Sequence, residues 1–328
     1  MLPEKKYRGL FVFEKKGKIR LFWSSENTSL PGIFSAESDD GKAFKKHSTR
    51  ITLFRADGTK TISPDIPVIR GSVLGTKTIL SLSALEKKRG IIATVGAGGS
   101  WDIINETTLL AGPTVFVKIP ATSGKKSSVI AFSTRDPKTI FQARSNDTLE
   151  RFRDTGDVLD ARRRSFDATA LTPLYGELTP QGILLVYTAS NSLGKIVVGA
   201  ALFDREHPTT LLWRSPEALW ESPEKISAHT RVLGGVNGGK YFFIYLQSHG
   251  KPVEFFPLAR YWESVTKKQP GTLVLPQRKK GIPIQLARAQ ANPVLEPVSK
   301  NSWEAFATFN PAALYLNGRV HLLYRAQG

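Results

Sequence analysis

Short apolar runs bounded by turn residues recur along the whole chain, and helical periodicity is nearly absent. This pattern is typical of an all-β sandwich, barrel or propeller. The end of the chain shows it most clearly, since Leu314–Leu316 and Val320–Tyr324 are joined by Asn317-Gly318, a dipeptide strongly favoured in two-residue hairpin turns. We therefore predict a β-hairpin at the C-terminal end.

Two segments of the chain repeat one another. Residues 19–44 and 129–152 each contain a strand ending in an aromatic residue and Ser, then a polar turn, then Ile-Phe-x-Ala-x-Ser-x-Asp. The equivalent residues Ile33 and Ile140 are 107 positions apart (140 − 33), which corresponds to about two propeller blades of roughly 40–50 residues. We predict that Ile33–Asp39 and Ile140–Asn146 form the third strands of two blades separated by one blade.

The same strand, turn and strand pattern returns with other letters along the chain. Counting these units gives five blades, near residues 7–60, 61–105, 106–165, 166–225 and 226–283. The predicted fold is an all-β, five-bladed β-propeller. Because the inner strands of a propeller surround its central channel, a ligand is expected where these strands and their loops converge.

Composition excludes several classes of protein. The 328 residues include no cysteine, so disulfides, thiolate metal sites and a cysteine nucleophile are ruled out. The five histidines are scattered without metal-ligand spacing, so we predict no metal site and no cofactor. The N-terminus lacks the apolar stretch of a signal peptide, and nowhere do about 18 apolar residues run together. We expect a cytoplasmic protein without a membrane partner.

The net charge of +18 raises the question of nucleic-acid binding. The basic pairs and triplets, however, lie in turn-like stretches spaced along the whole chain, as at Lys15-Lys16, Lys125-Lys126 and Arg278–Lys280. This dispersal favours a solvated basic surface over a nucleic-acid interface.

The fourth predicted blade carries a specific motif. It contains Thr-x-x-Gly-x-Leu-Leu-x-Tyr, then Gly-Ala-Ala-Leu-Phe-Asp, His-Pro, Arg-Ser and Pro-Glu, between Thr179 and Glu224. This stretch resembles the fourth blade of glycoside hydrolase family 130, the five-bladed β-mannoside phosphorylases and mannosidases. The resemblance implies a carbohydrate-active propeller whose substrate is an oligosaccharide or glycan.

A second stretch, at the C-terminal end, is similar to the first blade of the same family. It contains Asn-Pro-x-Leu-x-Pro, Trp-Glu, Phe-Asn-Pro-Ala-Ala and Leu-Tyr-Arg-Ala between Asn292 and Ala326. We expect residues 1–287 to form one propeller. Residues 288–328 then form either the first half-blade of a second, truncated propeller, which we favour, or strands that close the first. In the family, the Asn and Arg of these motifs contact the bound sugar, which implies substrate-binding roles for Asn310 and Arg325.

The catalytic residues are harder to place. The family's general acid lies in a Glu-Asp-Pro-Arg stretch that this chain lacks, and Arg135-Asp136-Pro137 has the features of a turn. Two aspartates are candidates: Asp102, beside the sugar-stacking candidate Trp101, and Asp167, which matches a Phe-Asp of related propellers. The Glu and Gly-Pro expected after Asp167 are replaced by Leu171-Thr172-Pro173.

Two functions follow from these observations. The first is a propeller of the glycosidase or glycoside phosphorylase type acting on or binding β-mannoside-like glycans, with inorganic phosphate as co-substrate if it is a phosphorylase. The second is a catalytically inactive propeller that binds glycans or a partner and is fused to an enzyme domain. The missing acid motif favours the second for residues 1–285, and the sequence leaves open whether the protein is an enzyme.

Overall fold

The chain divides into two compact units, residues 1–269 and residues 270–328. The computed structural model describes residues 7–15, 17–25, 33–40, 43–46, 51–61, 68–84, 88–95, 100–163, 165–222, 231–237, 241–247, 254–259, 297–303, 305–316 and 319–327. All regular elements among these residues are β-strands. No helix in this part of the chain has the length and apolar character needed to cross a bilayer.

The first unit contains five antiparallel sheets in chain order, with one parallel pairing described below. The strands of the first sheet are β1 (Tyr7–Lys15), β2 (Lys18–Ser25), β3 (Ile33–Ser38) and β4 (Lys45–Lys46). Those of the second are β5 (Leu53–Phe54), β6 (Lys60–Thr61), β7 (Val68–Leu74), β8 (Lys77–Ala84), β9 (Arg89–Val95) and β10 (Trp101–Thr107). Those of the third are β11 (Thr114–Ile119), β12 (Ser128–Asp136), β13 (Thr139–Ser145) and β14 (Arg153–Asp160).

The remaining two sheets of this unit follow the same plan. The strands of the fourth are β15 (Thr169–Thr179), β16 (Gly182–Ser190), β17 (Ile196–Phe203), β18 (Leu211–Arg214) and β19 (Trp220–Glu221). Those of the fifth are β20 (Arg231–Asn237), β21 (Tyr241–Gln247) and β22 (Glu254–Ala259).

The five sheets are the blades of a closed ring. Strands β1, β7, β11, β15 and β20 each lie at one edge of their sheet, and each contacts the next, with β20 returning to β1. Hydrophobic clusters fill the spaces between neighbouring blades, and one of them joins Val12 and Leu21 of the first blade to Leu233 and Tyr245 of the fifth. The predicted five-bladed β-propeller is confirmed, with these five strands innermost.

The predicted repeat positions are also confirmed. Strand β3 is third in the first blade and β13 is third in the third blade, with the second blade between them. Arg135-Asp136-Pro137 lies at the β12–β13 hairpin, where the Lys138 amide donates to Oδ1 of Asp136 at 2.7 Å, as expected for a turn.

The boundary between the first two blades differs from the prediction. Residues 53–60, placed by sequence in the first blade, belong to the sheet of the second, where β5 runs parallel to β10 and β6 pairs with β5. The chain thus reaches the outer edge of the second blade before it enters the inner strand β7. The two short strands cover an edge that would otherwise expose unpaired backbone groups.

Close approach between neighbouring inner strands requires glycine. A Cβ at Gly71 would lie 2.3 Å from the carbonyl oxygen of Ile79 and 2.5 Å from the ring of Phe11 in the first blade. A Cβ at Gly176 would lie 2.6 Å from Cγ2 of Val117 in the third blade. These glycines allow large side chains of one blade to pack directly on the inner strand of the next.

The second unit contains a two-stranded antiparallel sheet formed by β23 (Ala307–Leu316) and β24 (Arg319–Gln327). The predicted hairpin is confirmed by the pairing of Leu316 with Arg319, although Asn317 and Gly318 themselves lie outside the described residues.

Candidate functional site

A cavity of about 600 Å³ lies on the axis of the propeller. All five inner strands line it, mainly through their C-terminal halves. Cavities that hold small ligands are commonly about 300–1,000 Å³ and mostly apolar, with a few polar groups. The apolar lining includes Phe11, Phe13, Val73, Phe116 and Val236.

Polar side chains occupy part of this lining. Oε2 of Glu177 accepts hydrogen bonds from Oη of Tyr175 at 3.1 Å and from Nδ2 of Asn237 at 3.3 Å. Glu14 lines the same cavity, and its Oε1 accepts a 2.6 Å bond from the amide of Gly17 in the β1–β2 turn. Lys118 also lines it and forms an ion pair with Asp147 at 3.1 Å. The cavity therefore presents two carboxylates, an amide, a phenol and an ammonium group, all able to hydrogen-bond sugar hydroxyls.

These cavity residues could hardly be recognised from the sequence. Glu14 and Glu177 lie within strands, and no motif marks them. Their common feature is a carboxylate near the C-terminal end of an innermost strand. This feature can be recognised only when the innermost strand of each blade is known.

A buried cation lies near the axis. Arg70 on β7 is 6% exposed, and its guanidinium donates to the carbonyl oxygens of Leu233 at 2.6 Å and Val232 at 3.4 Å on β20. It therefore links the two blades on either side of the first. Burial lowers the pKa of Arg70 to about 10, so the group stays protonated at neutral pH.

Asp167, predicted as catalytic, is fully buried in a charged network between the third and fourth blades. Arg162 donates to both of its carboxylate oxygens at 2.8 and 3.0 Å, and Oδ2 also accepts from Arg214 and Tyr187 at 2.6 Å each. Burial raises the pKa of Asp167, but the bonds from Arg162 and Tyr187 and the charge of Arg214 outweigh it, so the pKa lies below 3.8. A carboxylate held ionised by two guanidinium groups is suited to joining blades and poorly suited to donating a proton.

Trp101 and Asp102 lie on β10, near the outer edge of the second blade. The Trp101 side chain is 3% exposed and packs edge-on against Phe22 of the first blade, with ring centroids 5.3 Å apart. Asp102 is exposed, and two strands separate β10 from the inner strand β7, a distance of roughly 14 Å at ~4.8 Å per strand. The burial of Trp101 leaves no open indole face for the predicted stacking on a sugar, and neither residue lines the central cavity.

Asn310 and Arg325, the predicted sugar contacts of the second unit, lie beside one another in its hairpin. Arg325 pairs with Phe309, and Asn310 occupies the irregularity between that pair and the next, Ala312 with Leu323. Arg325 is exposed, and Trp303 and Tyr324 of the same unit have ring centroids 6.3 Å apart. The hairpin thus brings the two predicted residues together, while their sugar-binding role stays a prediction.

Among the described residues, no group of three or more His, Cys, Asp or Glu side chains is arranged to hold a metal ion.

Comparison with known proteins places the fold beside mannoside-active propellers. No family model matches the chain. A 1,2-β-oligomannan phosphorylase of Thermoanaerobacter sp. (strain X514) is 54% identical over 43 residues, which are 13% of this chain and 14% of that protein. The match therefore spans only a small part of that relative.

Solved structures match over most of the propeller. One of them belongs to the GH130 family of mannoside phosphorylases, which contains glycoside hydrolases that target β-1,2 mannosidic linkages in Candida mannan. It has a TM-score of 0.58 and 17% identity, covering 79% of this chain and 85% of that one. The β-1,2-mannobiose phosphorylase of Listeria innocua has a TM-score of 0.57 and 15% identity over 77% and 89% of the two chains. A glycosyl hydrolase of Bacteroides ovatus gives 0.57 and 15% over 79% and 85%. At these identities the similarity shows a shared five-bladed fold.

Proposed function

We propose that this protein is a carbohydrate-active propeller that takes β-mannoside-like glycans into its central cavity. The observation that carries the proposal is the cavity itself, which all five inner strands line and which holds the polar side chains of Glu14, Glu177 and Asn237. Carboxylate and amide groups of this kind hydrogen-bond the hydroxyls of sugars.

The choice of β-mannosides rests on resemblance. The motifs in the fourth blade and the C-terminal hairpin are those of β-mannoside phosphorylases and mannosidases. The 43-residue match and two of the structural matches concern proteins whose names refer to β-1,2-linked mannose. A β-1,2-linked mannose disaccharide is therefore the first ligand to test, and inorganic phosphate would be the co-substrate of a phosphorolytic reaction.

A second candidate function is glycan binding without cleavage. It is favoured by the absence of the family's acid motif and by the saturation of Asp167 with Arg162, Arg214 and Tyr187. A positioned acid or base contributes about 10²–10⁴-fold to a rate, so a propeller without one loses most of its catalysis.

Product analysis separates the two. The protein is incubated with β-1,2-mannobiose, with and without inorganic phosphate, and mannose and mannose 1-phosphate are measured. We expect binding of the disaccharide, no mannose 1-phosphate and at most trace mannose. Turnover of about 1 s⁻¹ or faster, in the ordinary enzyme range, would establish the protein as an enzyme and overturn the binding-only alternative.

A further inference from the structure

The Glu177 carboxylate lies at the interface between the fourth and fifth blades, where residues of both blades bind it. Tyr175 lies two residues earlier on β15, so its side chain leaves the strand on the same face as that of Glu177. Asn237 comes from β20, the neighbouring inner strand. Their donors both reach Oε2, so two blades fix the orientation of one carboxylate that lines the cavity.

The second oxygen of this carboxylate is available to a ligand. Within the described part of the chain no donor is within hydrogen-bonding distance of Oε1 of Glu177, and no Lys, Arg or His forms an ion pair with the group. Tyr175 and Asn237 are neutral, so they orient the charge without cancelling it. Lys118, a cation of the same lining, is paired with Asp147.

An oriented carboxylate with an open oxygen accepts hydroxyl hydrogens and repels anions. Glu14 places a second carboxylate in the same lining, which strengthens this preference. Hydrogen bonds to a charged group are stronger than neutral ones, so one such contact can dominate the recognition of a sugar.

We infer that Glu177 is the ligand-binding carboxylate of the central cavity, that it accepts a hydroxyl hydrogen of a neutral glycan, and that it selects neutral sugars over phosphate-bearing ones. Tyr175 and Asn237 are its positioning residues. The inference rests on the proposed function and deepens it, because a cavity that excludes phosphate is suited to binding or hydrolysis and not to phosphorolysis.

The test is a calorimetric titration of the full chain with two ligands, neutral β-1,2-mannobiose and anionic mannose 1-phosphate. Wild-type protein should bind the disaccharide and discriminate against the phosphate. Glu177→Gln keeps the shape but removes the charge, and it should weaken disaccharide binding by about 10-fold to 100-fold and reduce the discrimination, with Glu14 supplying what remains. Asn237→Ala should weaken binding by less and keep the discrimination, because the charge remains.

Controls make each outcome decisive. Glu150→Gln, an exposed glutamate in the third blade, should bind as wild type does. If Glu177→Gln does not fold, Glu177→Asp replaces it and should lose affinity while retaining discrimination. If wild type binds the disaccharide and the folded Glu177 variants match it in affinity and discrimination, this inference is wrong and the proposed function stands. If wild type binds no glycan, both are wrong.

Discussion

Arg214 donates a 2.6 Å hydrogen bond from Nη2 to Oδ2 of Asp167. This ion pair joins β18 of the fourth blade to the loop that leaves the third blade. Arg214 also donates to the carbonyl oxygen of Asp160 at the end of β14, at 2.7 Å. The network therefore holds two blades together, and Asp167 is its only anion among the described residues.

Removing the charge of Asp167 should destabilise the fold. Asp167→Asn leaves the partly buried guanidinium groups of Arg162 and Arg214 without their counter-ion, and breaking a buried pair costs about 3–5 kcal/mol. Urea denaturation measures the change. Asp157→Asn is the matched control, because Asp157 pairs with Arg135 at an exposed site and should cost about 0–1 kcal/mol. Equal losses of unfolding free energy in the two variants would show that Asp167 does not hold the blades together.

Low pH should weaken the ion pairs of Asp167 with Arg162 and Arg214. The folded-state pKa of Asp167 lies below its usual 3.8, so the stability it contributes is fully present above about pH 4 and is lost as the pH falls through the folded pKa. The stability difference between wild type and Asp167→Asn should therefore shrink as the pH drops from 6 towards 2. Denaturation midpoints measured across that range check this, and a difference that stays constant with pH would count against it.

Because the inner strands pack closely, a second substitution should offset part of the stability lost on replacing a glycine. Gly176→Ala should destabilise the protein by about 1–3 kcal/mol, because the new Cβ would lie 2.6 Å from Cγ2 of Val117. Val117→Ala removes that methyl group, so the double variant should lose less stability than the sum of the single variants. Simple additivity in denaturation experiments would show that the contact does not limit the site.

The burial of Trp101 predicts a structural role. Trp101→Ala should cost about 3–5 kcal/mol, since the ring fills the core between the first two blades beside Phe22. Protein that remains folded should bind a glycan as tightly as wild type. Unchanged stability combined with lost binding would restore the sugar-stacking role predicted from sequence.

The strands and their grouping into blades could be predicted because each blade repeats one local pattern. The third strands at Ile33 and Ile140 were recognisable from shared letters alone. The site was harder because its residues meet only through the ring. Asp167 was singled out by sequence, but its partner Arg214 is 47 residues away, and only this contact shows that Asp167 links two blades. Trp101 follows a glycine-rich stretch typical of an accessible loop, yet its environment is set by Phe22 of another blade. Glu177 carries no motif, and its significance depends on which strand is innermost.

Blocking the cavity and measuring glycan binding tests most directly whether the cavity holds the glycan. Val73 lines the cavity and is 37% exposed, so Val73→Trp should fill the space that a sugar would occupy. Leu193→Trp, at an exposed turn 64% accessible to solvent, introduces the same side chain elsewhere on the surface. In titrations with β-1,2-mannobiose, wild type and Leu193→Trp should bind with equal affinity, and folded Val73→Trp should not bind. Binding of the disaccharide to Val73→Trp with wild-type affinity would contradict this prediction.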